Sequence, residues 1–128
     1  MSEKFTVEII SPAGPIIRSE TTQVVLPSYE GEIGILKDHI PLITFLRPGI
    51  IKIDESQKNF FVEDGTVEFA NNSLLILTST AKEVKDMDKN LLESIIDDAE
   101  KKIKSEDVTD KEKYLLSYKI DSLKNINR

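Results

Sequence analysis

The residues with the widest chemical reach lie close together. The stretch 29–44 reads YEGEIGILKDHIPLIT and holds Glu30, Glu32, Asp38 and His39, the only histidine of the chain. A lone histidine beside carboxylates could serve as a general base, as the middle member of a nucleophilic triad, or as a metal ligand. A triad would need a remote Ser and Asp, and no GxSxG motif singles out that Ser. Glu32, Asp38 and His39 could approach a metal, but their spacing matches no ligand pattern. Asp86-Met87-Asp88 opens like a calcium loop and lacks its glycine and distal Glu. It reads better as a helix N-terminus, where acids favour the dipole. The five glycines are scattered and build no phosphate loop ahead of Lys-Ser/Thr. Cysteine is absent, which removes disulfides, thiolate catalysis and Cys-based zinc sites. The expectation is no catalytic, cofactor-binding or metal site, hence not an enzyme on its own.

The elements that must position these residues fall into two parts. Up to about Thr80 the chain reads as short strands. Phe5, Val7 and Ile9 alternate with Thr6 and Glu8, which gives one buried and one wet face. Pro12, Gly14 and Pro15 break that strand. Ile16–Glu20 and Gln23–Pro27 are further candidates. GIIKID and NFFVE flank the turn Glu55–Lys58, and Thr66–Ala70 and Ser73–Thr78 flank Asn71-Asn72, residues that tolerate the left-handed backbone of a tight hairpin. Ile43 reads as core, while Leu42 could face either way. Short strands at turn spacing predict a β-sandwich or barrel over residues 1–81.

After a linker over residues 82–87 the period becomes helical. Leu91, Leu92, Ile95, Ile96, Ala99 and Ile103 share a face, with Asp97, Asp98, Lys101 and Lys102 opposite. Thr109-Asp110-Lys111-Glu112 matches a capping box that starts a second helix. The short connection makes residues 88–128 an antiparallel two-helix hairpin. Such a hairpin has little core of its own, so it must pack on the β-domain, pack on a partner, or move between them.

Charge and length narrow the partners. The 128 residues carry a net charge of −6, which disfavours nucleic acid, whose phosphates want a basic face. Only the last part is basic: residues 109–128 carry five Lys/Arg against three Asp/Glu. Hydrophobic residues are 39% of the chain, enough for a core built on Ile, Leu and Val. No stretch approaches the roughly 20 apolar residues that span a bilayer. MSEKFTVEII reads as a strand, not as a signal or transit peptide. Any membrane role is expected to be indirect, through a partner.

EGEIGI, then DHIPLI, then LRPGIIKI resembles the epsilon-subunit family of F-type ATP synthases. The layout of a β-sandwich followed by a helical hairpin is similar over the whole chain, and the combined motif is far more specific than its parts. The lack of a transit peptide favours the bacterial branch over the related mitochondrial delta subunits. The resemblance implies a non-catalytic central-stalk subunit that couples c-ring rotation to ATP synthesis. Its β-domain would bind the gamma subunit and rest on the c-ring, on the cytoplasmic face of the bacterial inner membrane. The ring-contacting loops of the family map onto Glu30, Gly31, Glu32 and His39. The hairpin of many relatives inhibits hydrolysis by extending toward the alpha and beta catalytic subunits. Lys111, Lys113, Lys119, Lys124 and Arg128 would be the basic contacts here.

One departure matters. Relatives often begin the first hairpin helix with Ile/Leu-Asp-x-x-Arg-Ala, which in some members binds regulatory ATP. Here the run is Met87-Asp88-Lys89-Asn90-Leu91-Leu92. Asp88 matches, and Leu91 stands in place of the arginine whose planar fork could hold phosphate. The expectation is no tight ATP binding. Bulky Leu91, Leu92, Ile95 and Ile96 further suggest a firmly docked hairpin, since large side chains bury more apolar area. Two other readings stand beside the rotor subunit: a free-standing protein-binding adaptor, and a small enzyme using Asp38 and His39.

Overall fold

The computed structural model describes residues 3–55 and 57–126. Its strands are β1 (Phe5–Ser11), β2 (Gly14–Thr21), β3 (Gln23–Ser28), β4 (Gly31–Leu36), β5 (Leu42–Leu46), β6 (Gly49–Ile53), β7 (Lys58–Val62), β8 (Gly65–Ala70), β9 (Ser73–Leu77) and β10 (Lys82–Glu83). Two helices follow, α1 (Lys89–Ile103) and α2 (Asp110–Lys124). The strands run β10-β7-β6-β3-β5-β8-β9-β1-β2, with β4 paired to β3. The sheet folds over at β3: Val24 and Val25 pair with β6, whereas Ser28 pairs with Leu46 of β5. All pairs are antiparallel except β1 with β9.

The expected sandwich is present. Phe5, Val7 and Ile9 point inward as their alternation predicts, and they join Val24, Leu26, Ile35, Ile51, Phe60, Val67, Phe69 and Ile76 in one core. Asn71 and Asn72 have φ of 52° and 59°, the left-handed geometry expected of the β8–β9 turn. The stretch 29–44, for which the sequence predicts no strand, contributes to two. EGEIGIL supplies β4, and PLITFL supplies β5. Within β5, Leu42, Thr44 and Leu46 turn inward. Ile43 therefore faces solvent, at 72% exposure, which overturns its expected place in the core. Period-two alternation outweighs the hydrophobicity of one residue once the flanking positions are fixed.

The segment expected to be a linker, 82–87, is folded. Lys82 and Glu83 pair with Phe61 and Phe60 of β7, Val84–Asp86 form a 3-10 turn, and Met87 is buried. That path sets the hairpin on the outer face of β6 and β7. There Phe61, Met87, Leu92 and Leu123 form a second core, joined by Ile50, Val84, Ile95, Ile96 and Ile126. Lys102 pairs with Glu112 beside the connection, while Leu92 and Leu123 meet from the far ends, so the helices are antiparallel. Asp88 caps α1 by accepting the Leu91 N–H at 2.8 Å. Thr109 and Glu112 close the expected capping box on α2, at 3.1 and 3.2 Å. Leu91 is exposed and lies off the buried stripe, which runs through Leu92 and Ala99.

Candidate functional site

The candidate contact residues of the 29–44 stretch divide between the two ends of β4. At one end, β3 turns into β4. Ser28 is buried, donates its hydroxyl to the Gly31 carbonyl at 2.6 Å, and accepts the Glu30 N–H at 3.2 Å. Gly31 has φ of +115°, a conformation that side chains rarely adopt, so this glycine shapes the turn. Glu30 and Glu32 are exposed beside it. Gly34 has no such need: it pairs with Val25 within the strand. His39 sits at the far end, about 17 Å of extended strand away. The structure thus does not bring His39 together with Glu30, Gly31 and Glu32.

His39 has a local partnership instead. Its ring meets Phe69 edge-on, with centroids 5.9 Å apart. Its Nδ1 lies 2.7 Å from the Ile40 carbonyl, a contact it makes as the N–H donor. Next to it, the Asp38 N–H donates to Asn72 Oδ1 at 2.7 Å, and Asn72 Nδ2 donates back to Asp38 Oδ1 at 3.0 Å. This reciprocal clasp ties the β4–β5 loop to the β8–β9 turn. It holds Ile40 outward at 75% exposure.

That loop leads into a face assembled from four strands, none of which is expected from the sequence to be a contact surface. Outward residues of the β5-β8-β9-β1 sheet align in two rows: Ile43, Glu68, Leu75 and Glu8, then Phe45, Thr66, Leu77 and Ile10. Phe45 is 58% exposed and Leu77 45%. Exposed large apolar residues gathered on one face mark a docking surface. At the rim of this face Pro12, Tyr29 and Lys111 join Ile10, Phe45 and Leu77 around an open groove. The hint lay in LITFLR, where alternation about Thr44 puts Ile43 and Phe45 on the same side.

The basic residues of α2 are partly engaged. Lys119 reaches Glu63 of the sandwich at 2.8 Å, and Lys124 reaches Glu100 of α1 at 3.1 Å. Lys111 and Lys113 are exposed, and Arg128 lies outside the described residues. Among the described residues no three His, Cys, Asp or Glu side chains gather where one metal ion could be held. None of their helices is long and apolar enough to cross a membrane.

Comparison with known proteins decides the family. Residues 4–84 match the family described as ATP synthase, Delta/Epsilon chain, beta-sandwich domain. The ATP synthase epsilon chain of Pelagibacter ubique is 49% identical over 130 residues, covering 99% of this chain and 100% of that one. The chain belongs to the ATP synthase epsilon-chain family. A further member, from Dichelobacter nodosus, is 36% identical and covers 84% of this chain and 77% of its own. The fold is shared more widely. A chain of the Euglena gracilis mitochondrial ATP synthase, solved as OSCP/F1/c-ring in one rotational state, superposes with a TM-score of 0.80 at 18% identity. It covers 97% of this chain and 81% of that one. The Tetrahymena thermophila central stalk/c-ring structure gives 0.64 at 16% identity, with 96% of both chains covered. The epsilon-family fold, a sandwich with a two-helix hairpin, accounts for every element described above.

Proposed function

We propose that this chain is a non-catalytic central-stalk subunit of a proton-translocating F-type ATP synthase. It turns with the gamma subunit and the c-ring and couples ring rotation to ATP synthesis. The observation that carries this reading is the apolar outer face of the β5-β8-β9-β1 sheet, in a chain so similar to a named epsilon chain. The gamma subunit docks there, with Ile43, Phe45 and Leu77 at the centre and His39 and the Asp38–Asn72 clasp holding Ile40 at the margin. The c-ring meets the β3–β4 turn at Glu30, Gly31 and Glu32, where an acidic, rigid tip offers polar contacts to exposed ring loops. The subunit is held at the cytoplasmic face of the bacterial inner membrane through these partners.

The hairpin is the regulatory element. When it leaves β6 and β7 it extends toward the alpha and beta subunits, and Lys111, Lys113, Lys119, Lys124 and Arg128 meet their acidic segments. Leaving β6 and β7 breaks the Lys119–Glu63 pair and exposes Phe61, so the docked state opposes inhibition. Reconstitution with the gamma-containing catalytic head tests the reading. The full chain should bind stoichiometrically, and deleting residues 88–128 should leave binding intact and raise hydrolysis less than twofold. Failure of the full chain to bind that head would refute the assignment.

A further inference from the structure

The chain has three tyrosines and no tryptophan, and all three tyrosines belong to one ladder. Tyr29 stacks on Tyr114 with centroids 6.4 Å apart and planes 10° from parallel. Tyr114 meets Tyr118, one helical turn on, edge-to-face at 4.9 Å. The Arg47 guanidinium lies 3.8 Å from the Tyr118 ring centroid and donates from Nη1 to the Tyr114 hydroxyl at 3.4 Å. The ladder therefore starts in the β3–β4 turn, climbs one turn of α2, and ends after β5. Ser122 lies on the same seam: its hydroxyl donates to the Tyr118 carbonyl at 2.8 Å and sits 3.4 Å from the Pro48 carbonyl.

Both sandwich ends of the ladder are fixed by backbone bonds. The Tyr29 N–H donates to the Phe45 carbonyl at 3.1 Å, and the Arg47 N–H donates to the Pro27 carbonyl at 3.0 Å. Tyr29 immediately precedes Glu30-Gly31-Glu32, and Glu32 shares a cleft with Arg47 and Tyr118. We infer that the three tyrosines and Arg47 form a latch that couples docking of the hairpin to the conformation of the 28–31 turn. For its purpose the latch rests on the proposed ring contact at that turn; as a coupling it is a property of the chain alone.

Magnitudes separate this latch from the anchor. The cluster around Phe61 buries large apolar side chains and supplies most of the docking energy. Aromatic pairs and a partly exposed cation–π contact add far less, enough to shift a docking equilibrium by about tenfold and no more. That suits a coupling element, because whatever distorts the turn loosens α2, and undocking of α2 frees the turn by the same factor.

Amide hydrogen exchange on the isolated full chain tests it. Tyr114→Ala should raise exchange about tenfold both in α2 and at Glu30, whose N–H is bonded to Ser28, while β1 and β9 stay protected. Arg47→Lys keeps the charge and loses the planar stacking, and should raise the same amides about threefold. Gly31→Ala probes the reverse direction. An added Cβ would meet nothing within 4 Å, so it acts only by straining the φ of +115°, and α2 exchange should rise. Faster exchange in α2 with Glu30 unchanged, or no change in either, overturns the coupling. If Tyr114→Ala also opens β1 and β9, the milder Arg47→Lys variant decides the question on the same two criteria. Neither result depends on gamma or the ring, so a failed latch and a failed assignment are distinguishable.

Discussion

Phe60 and Phe61 are consecutive in β7, yet they belong to two different cores. Phe60 faces the interior of the sandwich, and Phe61 faces out beneath Met87, Leu92 and Leu123. Strand alternation thus divides one sequence, NFFVE, between holding the β-domain together and holding the hairpin down.

The two phenylalanines should separate in stability experiments. Phe60→Ala should destabilise the sandwich by roughly 3–5 kcal/mol, the range for truncating a buried phenylalanine. Phe61→Ala should instead release the hairpin, with protease cutting within 88–110 and little change in sandwich melting. Equal effects of both variants on the sandwich transition would contradict two separate cores.

The capping box gives a pH dependence. The Glu112 carboxyl is held below the usual carboxylate value, first by the Thr109 backbone N–H donated to it, next by the Thr109 hydroxyl, with Lys102 helping less. A folded value below the unfolded one means the stabilisation is present above the ordinary glutamate value and fades as pH falls through the folded value. Helicity of α2 followed by NMR should therefore decline on acidification, and Glu112→Gln, which keeps a capping donor–acceptor pattern without titrating, should flatten this part of the decline. Thr109→Ala should weaken α2 by about 1 kcal/mol at neutral pH.

The Asp38–Asn72 clasp should be separable from the turn it decorates. Asn72 has φ of 59°, so Asn72→Gly keeps the turn and removes the side-chain bonds. The expected cost is about 1 kcal/mol, with local loosening of residues 37–41 in exchange experiments. Asn72→Val adds backbone strain and should cost more. Identical losses for Gly and Val would assign the whole effect to the side-chain bonds.

Nucleotide binding is predicted to be weak. Asp88 commits one carboxylate oxygen to the Leu91 N–H, and Leu91 itself offers only an apolar side chain where a guanidinium would grip phosphate. Calorimetry with Mg-ATP on the isolated chain should show no binding in the micromolar range. A micromolar dissociation constant would contradict this.

The parts legible in the sequence were those with strong local signals. The alternation of Phe5, Val7 and Ile9, the Asn71-Asn72 turn, the Thr109–Glu112 box and the helical stripe through Leu92 and Ala99 each state their own structure. What escaped was set by pairing between distant segments. EGEIGIL becomes β4 because it pairs with QVVLPS of β3, and that pairing also carries His39 away from Glu30 and Glu32. Ile43 is turned outward by the register that β5 shares with β8. The tyrosine ladder joins residues 29 and 114, a contact no local pattern encodes. The apolar outer face is complete when four strands are laid side by side.

Above all, the proposed role requires that this chain join the stalk by seating its Ile43–Phe45–Leu77 face on gamma. Calorimetric affinity for a purified gamma-containing head measures that seating, comparing the natural chain with Ile43→Asp/Phe45→Asp. Both positions are exposed, so the double variant should keep its melting temperature. Tight one-to-one binding by the natural chain is expected, with a loss of about a hundredfold or more in the variant, as for truncated interface anchors. Undiminished binding by a folded variant would contradict the docking face and the stalk assignment built on it.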